Sequence, residues 1–174
     1  RAAHPEVDIE VHTGLTATMH ERVGRDLDLL LGMQPAGAGP AGGGRGAVLR
    51  IEQPVWAIGR GSRAHRADPL PLALYPQGCL FRAWAFQALD AAGRRWRLAY
   101  MSPSLGAVAA AAEAGLAVGV FKAGTLPKGL QRLDARHGRE VRNRHADRAV
   151  QVRQDAPSGR ASEPSVAGAG SGGR

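Results

Sequence analysis

The stretch from Trp96 to Lys122 constrains the fold more than any other part of the chain. It contains a short β-like run (Leu98 to Tyr100), a polar turn, an Ala- and Val-rich helical segment (Gly106 to Ala114) and a second apolar run (Leu116 to Phe121). A helix that is apolar nearly all round is expected to be buried, and a continuous apolar strand is expected to be covered on both faces. The order predicts a βαβ unit with two parallel strands and a right-handed crossover, and therefore an α/β fold.

The remaining segments predict further strands and helices. Alternating apolar residues over Val7 to Thr13 predict a half-buried strand. Thr16 is the predicted N-cap of a short helix that ends near Arg25, and Leu27 to Leu31 is predicted to be the next strand, so that this region forms another βαβ unit. Further strands are predicted at Ala47 to Glu52, Val55 to Ile58, Leu70 to Tyr75 and Leu130 to Leu133, with a helix at Cys79 to Ala91 and a crossing between lobes at Gly59 to Asp68.

Composition restricts the class of protein. The single cysteine, Cys79, excludes an internal disulfide, and no apolar run reaches the length needed to span a membrane. The formal net charge is +8, but the basic excess is almost all Arg in an Ala- and Gly-rich chain, so it is weak evidence for nucleic-acid binding. No metal-ligand spacing and no nucleophile–base arrangement is found. We therefore predict no metal, no cofactor and no enzymatic activity.

The segment from Gly37 to Gly42 formally matches the dinucleotide-binding pattern G-x-G-x-x-G. That motif requires a helix directly after the glycines, so that the helix N-terminus meets the pyrophosphate. Here Pro40, Gly43 and Gly44 oppose an early helix and a strand-like run follows. We interpret the segment as a flexible loop.

Several strings resemble, in order, the effector-binding domain of LysR-type transcriptional regulators. They are HPEVDIEVHTG, the Leu27-Asp28-Leu29 strand, and LPLALYPQGCLFRAWAFQALDAAGRRWRLAYMSPSLGAVAAAAEAGLAVGV. The most specific parts are the Gly-Cys-x-x-Arg helix start and the Ser-Pro-Ser-Leu…Ala-Gly-Leu-x-Val run, and the resemblance covers about Arg1 to Leu133. It implies an α/β fold like that of type 2 periplasmic binding proteins, with two Rossmann-like lobes joined by crossover strands and a ligand cleft between them.

The resemblance also implies a division of the chain. Lobe I would comprise residues 1–58 and 124–138, and lobe II residues 59–123. Residues 139–174 show little apolar periodicity and end in Gly, Ser, Ala and Pro, so we expect a basic, mostly disordered tail; they also do not resemble the family's closing strand and helix. The family's winged helix-turn-helix, its linker helix and the first strand and helix of lobe I are not found in the sequence. We therefore expect an incomplete lobe I and a chain whose natural start lies upstream.

The function implied by the resemblance is that of a cytoplasmic, ligand-sensing regulatory domain. Its partners would be a small, anionic effector in the cleft between the lobes and, in the full-length protein, a second copy of itself in a dimer. DNA would be contacted only through the absent N-terminal helix-turn-helix, and no membrane partner is expected. Two alternatives stay open: a solute-binding protein of a transporter, which shares the fold, and a gene fragment without function.

Eight residues at strand-to-helix turns are candidate effector ligands, because open α/β sheets bind ligands at such turns. They are Thr13, Gly14 and Thr16 in lobe I, and Gly78, Cys79, Arg82, Ser102 and Ser104 in lobe II.

A structural role competes with effector binding at each of these candidates. Ser104 is also a suitable helix N-cap, and the Thr13-to-Thr16 turn is also explained by simple turn and cap chemistry. Arg82 can hold an effector carboxylate in a bidentate manner or pair with a nearby acidic residue. Cys79 is either a reactive thiol at a helix N-terminus or a small buried hydrophobe, and the second interpretation is favoured.

Overall fold

The computed structural model describes residues 4–39, 45–133 and 150–156. The elements in chain order are α1 (Thr16–His20), β1 (Leu30–Pro35), β2 (Arg45–Glu52), β3 (Pro54–Gly59), β4 (Leu70–Leu74), α2 (Leu80–Ala91), β5 (Trp96–Met101), α3 (Leu105–Glu113), β6 (Val118–Lys122), β7 (Leu130–Arg132) and β8 (Val150–Ala156). Short 3-10 turns lie at Ala64–Arg66 and Ala123–Thr125. In the described part of the chain, no helix has the length and apolar character required to cross a membrane.

A five-stranded sheet forms the core, in the order β5-β4-β6-β3-β7. Strand β4 runs parallel to β5 and β6, whereas β3 is antiparallel to β6 and β7. Every residue of β4 is buried, because helices α2 and α3 pack against this sheet and both bury side chains in the same core as its strands. The α/β fold predicted from the sequence is confirmed.

The βαβ unit predicted from the Trp96-to-Lys122 stretch is present as β5, α3 and β6. Its two strands are parallel, and β4 lies between them. Gly115 has a φ of +75°, as expected of a glycine that ends a helix. The expected all-round burial of the helix is wrong, since Leu105 is 51% exposed and only one face of α3 packs on the sheet. Small alanine side chains make a surface helix look uniformly apolar in the sequence.

A second sheet has three antiparallel strands in the order β1-β8-β2. In its central strand β8, Asp155 lies opposite Leu30 of β1, and Ala156 lies opposite Arg45 of β2. The disorder predicted for residues 139–174 is therefore wrong for Val150–Ala156, because the two neighbouring strands supply backbone hydrogen bonds that composition alone does not reveal. The rest of the predicted tail lies outside the described residues, as does part of the Gly37-to-Gly42 loop.

The N-terminal segment differs most from its prediction. Val7 to Thr13 is not a strand: Ile9 and Val11 are 75% and 78% exposed, and no strand among the described residues pairs with this segment. Helix α1 has one short turn, with Leu15 rather than Thr16 at its N-cap. The strand predicted at Leu27 to Leu31 is displaced to Leu30–Pro35, so this region is not a βαβ unit. An amphipathic pattern forms a strand only where another strand completes its ladder.

The lobe boundaries after residue 58 and before residue 124 stay predictions. Strands β3 and β7 belong to the predicted lobe I by sequence position, but they pair with each other within the five-stranded sheet. The Gly59-to-Asp68 segment, predicted to be a crossing, contains a 3-10 turn and connects β3 with β4.

Candidate functional site

An open cleft of ≈ 870 Å³ lies where α1 and β1 face the α2 side of the five-stranded sheet. Gly14, Thr16 and Met33 contribute to one wall, and Gly78 and Arg82 to the other. The walls meet closely, since a Cβ built on Gly78 would lie 3.7 Å from Leu15 Cδ1. A ligand in this cleft would contact groups attached to both sheets.

Five of the eight predicted ligands line the cleft: Gly14, Thr16, Gly78, Cys79 and Arg82. The structure does not bring Thr13, Ser102 or Ser104 into its lining, although the neighbours Pro103 and Leu105 belong to it. All eight remain predictions as effector ligands.

Ser102 and Ser104 organise the turn before α3. Ser104 Oγ accepts a hydrogen bond of 3.4 Å from the Ala107 amide, as an N-cap does. Ser102 Oγ accepts one of 3.1 Å from the Ser104 amide, while the Ser102 amide donates to the Leu74 carbonyl. These contacts explain both hydroxyls as structural groups and provide the N-cap that the sequence suggested for Ser104.

The described wall formed by α1 and β1 carries polar side chains but no Lys, Arg, Asp or Glu. Thr16 Oγ1 accepts a hydrogen bond of 3.3 Å from the Met33 amide, which holds α1 on β1. Gln34 Nε2 lies 3.2 Å from His20 Nε2. The side-chain amide and the imidazole are therefore within hydrogen-bond distance of each other. His20 and Gln34 both line the cleft, and the sequence analysis did not identify either.

Helix α2 presents an uncapped N-terminus to the cleft. Cys79 occupies the N-cap position, and its side chain makes no capping hydrogen bond. The amides of Leu80 and Phe81 have no acceptor in the part of the chain that the structure describes. Unpaired amides and the helix dipole make such an end favourable for an anion. Gly78 enables the preceding turn, since its φ of +88° is unfavourable for other residues.

Arg82 is fixed on the wall formed by α2. Its Nη1 donates to the Tyr75 carbonyl at 3.1 Å, and its Cζ lies 5.0 Å from the centre of the Phe86 ring. Phe86 in turn stacks on Trp96, with 4.3 Å between ring centres and 12° between planes. Within the described residues, no carboxylate pairs with Arg82, so the alternative of a local ion pair finds no partner there.

Lys122 and Tyr75 also line the cleft, and the sequence analysis missed both. Lys122 is the last residue of β6; its position at the carboxyl end of a parallel strand is a signal that identifies it. Tyr75 is 7% exposed, and its hydroxyl has no hydrogen-bond partner among the described residues. Burial raises the pKa of Tyr75, with a further contribution from the nearby Cys79, so the hydroxyl stays protonated and able to donate.

The charge of the cleft is one-sided. Its described lining includes the cations Arg82 and Lys122 and contains no Asp or Glu. No cluster of three or more His, Cys, Asp or Glu side chains suited to a metal ion occurs in the described chain. The positive charge of the described lining therefore favours an anionic ligand, and the described residues offer that ligand no bridging metal ion.

Comparison with known proteins gives one consistent relationship. Residues 1–161 match the model of the LysR substrate binding domain. The chain is 34% identical over 128 residues to the HTH-type transcriptional regulator DgdR of Burkholderia cepacia, a match that covers 73% of this chain and 42% of that protein. The chain therefore spans less than half the length of this curated relative. The family match also extends beyond the predicted limit at Leu133 and includes β8.

Solved structures agree on the fold. The regulatory domain of Synechocystis CcmR, in complex with 2-PG, superposes with a TM-score of 0.67 at 12% identity, covering 91% of this chain and 78% of that one. The effector binding domain of QuiR, in complex with shikimate, superposes with a TM-score of 0.62 at 8% identity, covering 88% and 74%. These likenesses confirm the architecture expected from the resemblance, that of type 2 periplasmic binding proteins.

Proposed function

Because the chain belongs to the LysR substrate-binding domain family, we propose that it is the ligand-sensing part of a DNA-binding transcriptional regulator. Its cleft binds a small anionic effector. DNA is contacted by a segment outside this chain, as in a regulator of the helix-turn-helix type such as DgdR. The complete regulator works in the cytoplasm as a homo-oligomer. The domain binds its effector without catalysing a reaction.

One observation carries the proposal of an anionic effector: the described lining of the cleft has two cations and no carboxylate. Arg82 and Lys122 come from α2 and β6, and the uncapped N-terminus of α2 adds partial positive charge. The QuiR domain supports the same chemistry, since its ligand, shikimate, is a carboxylate.

Effector binding regulates through a change in population. A ligand that touches both walls of the cleft binds best when α1 and β1 are held close to α2. Such a ligand shifts the protein towards that closed arrangement by the difference between its affinities for the two states. In the complete oligomer, the shift changes how the subunits present their DNA-binding segments.

Isothermal titration tests the proposal with a panel of small carboxylates and phosphates at low salt. We expect at least one anion to bind, and Lys122→Gln to weaken that binding about tenfold because a charge-assisted contact is lost. Lys128→Gln is the matched control: Lys128 is the only other lysine in the sequence, and it does not line the cleft. The proposed site is contradicted if the wild type, Lys122→Gln and Lys128→Gln bind the anion equally. It is also contradicted if the folded chain binds no anion of the panel.

A further inference from the structure

The two walls of the cleft differ in charge, and this difference specifies the ligand more closely. We propose that the effector is an apolar monocarboxylate, bound with its carboxylate towards Arg82 and Lys122 and its carbon body towards α1 and β1. This inference rests on the proposed function and narrows it to one chemical class.

The anion is held on one side only. Arg82 is kept in place by the Tyr75 carbonyl and the Phe86 ring, whereas Lys122 has no ion pair within the described residues. Arg82 in the first turn of the uncapped helix and Lys122 in the same cleft lining suit one carboxylate. Tyr75 also lines the cleft, but its hydroxyl oxygen is buried, so the charge-assisted contacts come from Arg82 and Lys122.

The opposite wall does not favour a second charge. Thr16 Oγ1 is engaged by the Met33 amide, and the His20 imidazole and the Gln34 amide contact each other. A second carboxylate there would meet no Lys or Arg among the described lining residues. An ammonium group there would meet no carboxylate among the described lining residues. Removing either charge from water without a partner is unfavourable, so dianions and zwitterions should bind less well.

The body of the ligand meets apolar surface. Leu15 and Met33 line one side, while Phe86, Pro103 and Leu105 line the other. Leu105 is 51% exposed although it projects from a helix that packs on the core. An apolar carbon chain would cover this surface, and affinity should therefore rise with each added methylene.

Linear acids that differ at one feature at a time test the inference by isothermal titration of the chain. Butanoate, hexanoate and octanoate vary the apolar length. Hexanamide removes the charge, adipate adds a second carboxylate, and 6-aminohexanoate adds an ammonium. We expect octanoate to bind at least tenfold more tightly than butanoate, and hexanoate to bind about tenfold more tightly than its three analogues. Lys122→Gln should abolish the preference for hexanoate over hexanamide, whereas Lys128→Gln should keep it.

The outcomes separate this inference from the proposed function. If adipate or inorganic phosphate binds more tightly than hexanoate and depends on Lys122, the monocarboxylate class is wrong and the anionic cleft stands. If no linear acid binds at about 10 mM, which corresponds to a very weak interaction, while another anion of the panel does, the class is again wrong. If hexanoate and hexanamide bind equally and neither depends on Lys122, both the monocarboxylate class and the proposed anion-binding cleft are wrong.

Discussion

Arg82 and Tyr75 are joined by a hydrogen bond of 3.1 Å from Nη1 of the arginine to the backbone carbonyl of the tyrosine. The bond ties the first turn of α2 to the residue that follows β4. Because Phe86 also packs under the guanidinium, the positive charge is held at the wall of the cleft before any ligand arrives. A preorganised cation loses little side-chain entropy on binding and therefore contributes more to affinity.

Substitution of Arg82 should separate its charge from its geometry. We expect Arg82→Gln to weaken hexanoate binding about tenfold, because the charged partner is lost. Arg82→Lys should weaken it only about threefold, since the charge stays while the planar group on Phe86 is lost. Titration calorimetry measures both, with thermal unfolding as a check on the fold. Equal losses in the two variants would mean that Arg82 acts through structure and not through charge.

Cys79 offers a chemical probe of occupancy. It is the only cysteine in the sequence, it is half-buried, and it lines the cleft at the start of α2. We expect iodoacetamide to label it, and saturating hexanoate to slow the labelling at least fivefold by covering the thiol. Intact mass spectrometry follows the reaction. In Lys122→Gln the same hexanoate concentration should protect poorly; protection that persists would place the acid away from Lys122.

The part of the five-stranded sheet from β4 to β6, with its two helices, was predictable because its signals are local, whereas the inclusion of β3 and β7 was not. The continuous apolar runs that became β4 and β6, the helix that begins after Cys79 and the glycine stop at Gly115 each depend on residues next to one another. The three-stranded sheet was not predictable in the same way. Its central strand β8 comes about a hundred residues after its partners β1 and β2, and no local pattern encodes such a pairing.

The candidate site was partly predictable for the same reason. The turn that contains Gly78, Cys79 and Arg82 lies next to a strong helix signal, and all three residues line the cleft. Tyr75 and Lys122 look in the sequence like ordinary strand ends, and only the parallel arrangement of β4 and β6 brings them to the same edge. The segment from Val7 to Thr13 was wrongly predicted: its alternating pattern is typical of a strand, but no strand in the described chain pairs with it.

Gly119 should be intolerant of any side chain. A Cβ at this position would lie 2.5 Å from Cε2 of Phe121, a ring that is 1% exposed in the core. Gly119→Ala should lower the free energy of unfolding by about 1–3 kcal/mol through overpacking. Gly106→Ala, at an exposed position in the first turn of α3, is the control: no atom outside its chain neighbours would lie closer than 3.7 Å to the new Cβ. It should raise the free energy of unfolding by about 0.5–1 kcal/mol. Chemical denaturation compares them; an unchanged Gly119→Ala protein would show that the Phe121 ring moves freely.

Asp68 should make stability depend on acid pH. The hydrogen bond from Arg95 holds the pKa of Asp68 below its usual value, with weaker help from Arg94. The charged form is thus favoured in the folded protein. The contribution of ionised Asp68 to stability is complete above the pKa of the unfolded state, about 3.9. It disappears as the pH falls through the lower pKa of the folded state. Asp68→Asn should reduce the melting temperature slightly at neutral pH and should match the wild type at about pH 2. A difference that persists in acid would point to another cause, and Arg95→Gln should repeat the result.

Ser104 decides between a cap and a ligand contact. Its hydroxyl accepts from the Ala107 amide, and it is not part of the cleft lining. Ser104→Ala should therefore lower the free energy of unfolding by about 1 kcal/mol, the usual effect of losing an N-cap, and should leave hexanoate affinity unchanged. Ser104→Asp restores an acceptor at the same place and should recover most of the stability, because a carboxylate is favourable at a helix N-terminus. Urea denaturation and titration calorimetry on the three proteins give the two quantities separately. A loss of hexanoate affinity in the folded Ser104→Ala protein would instead assign the hydroxyl to the effector, and the cleft would then extend to the N-terminus of α3.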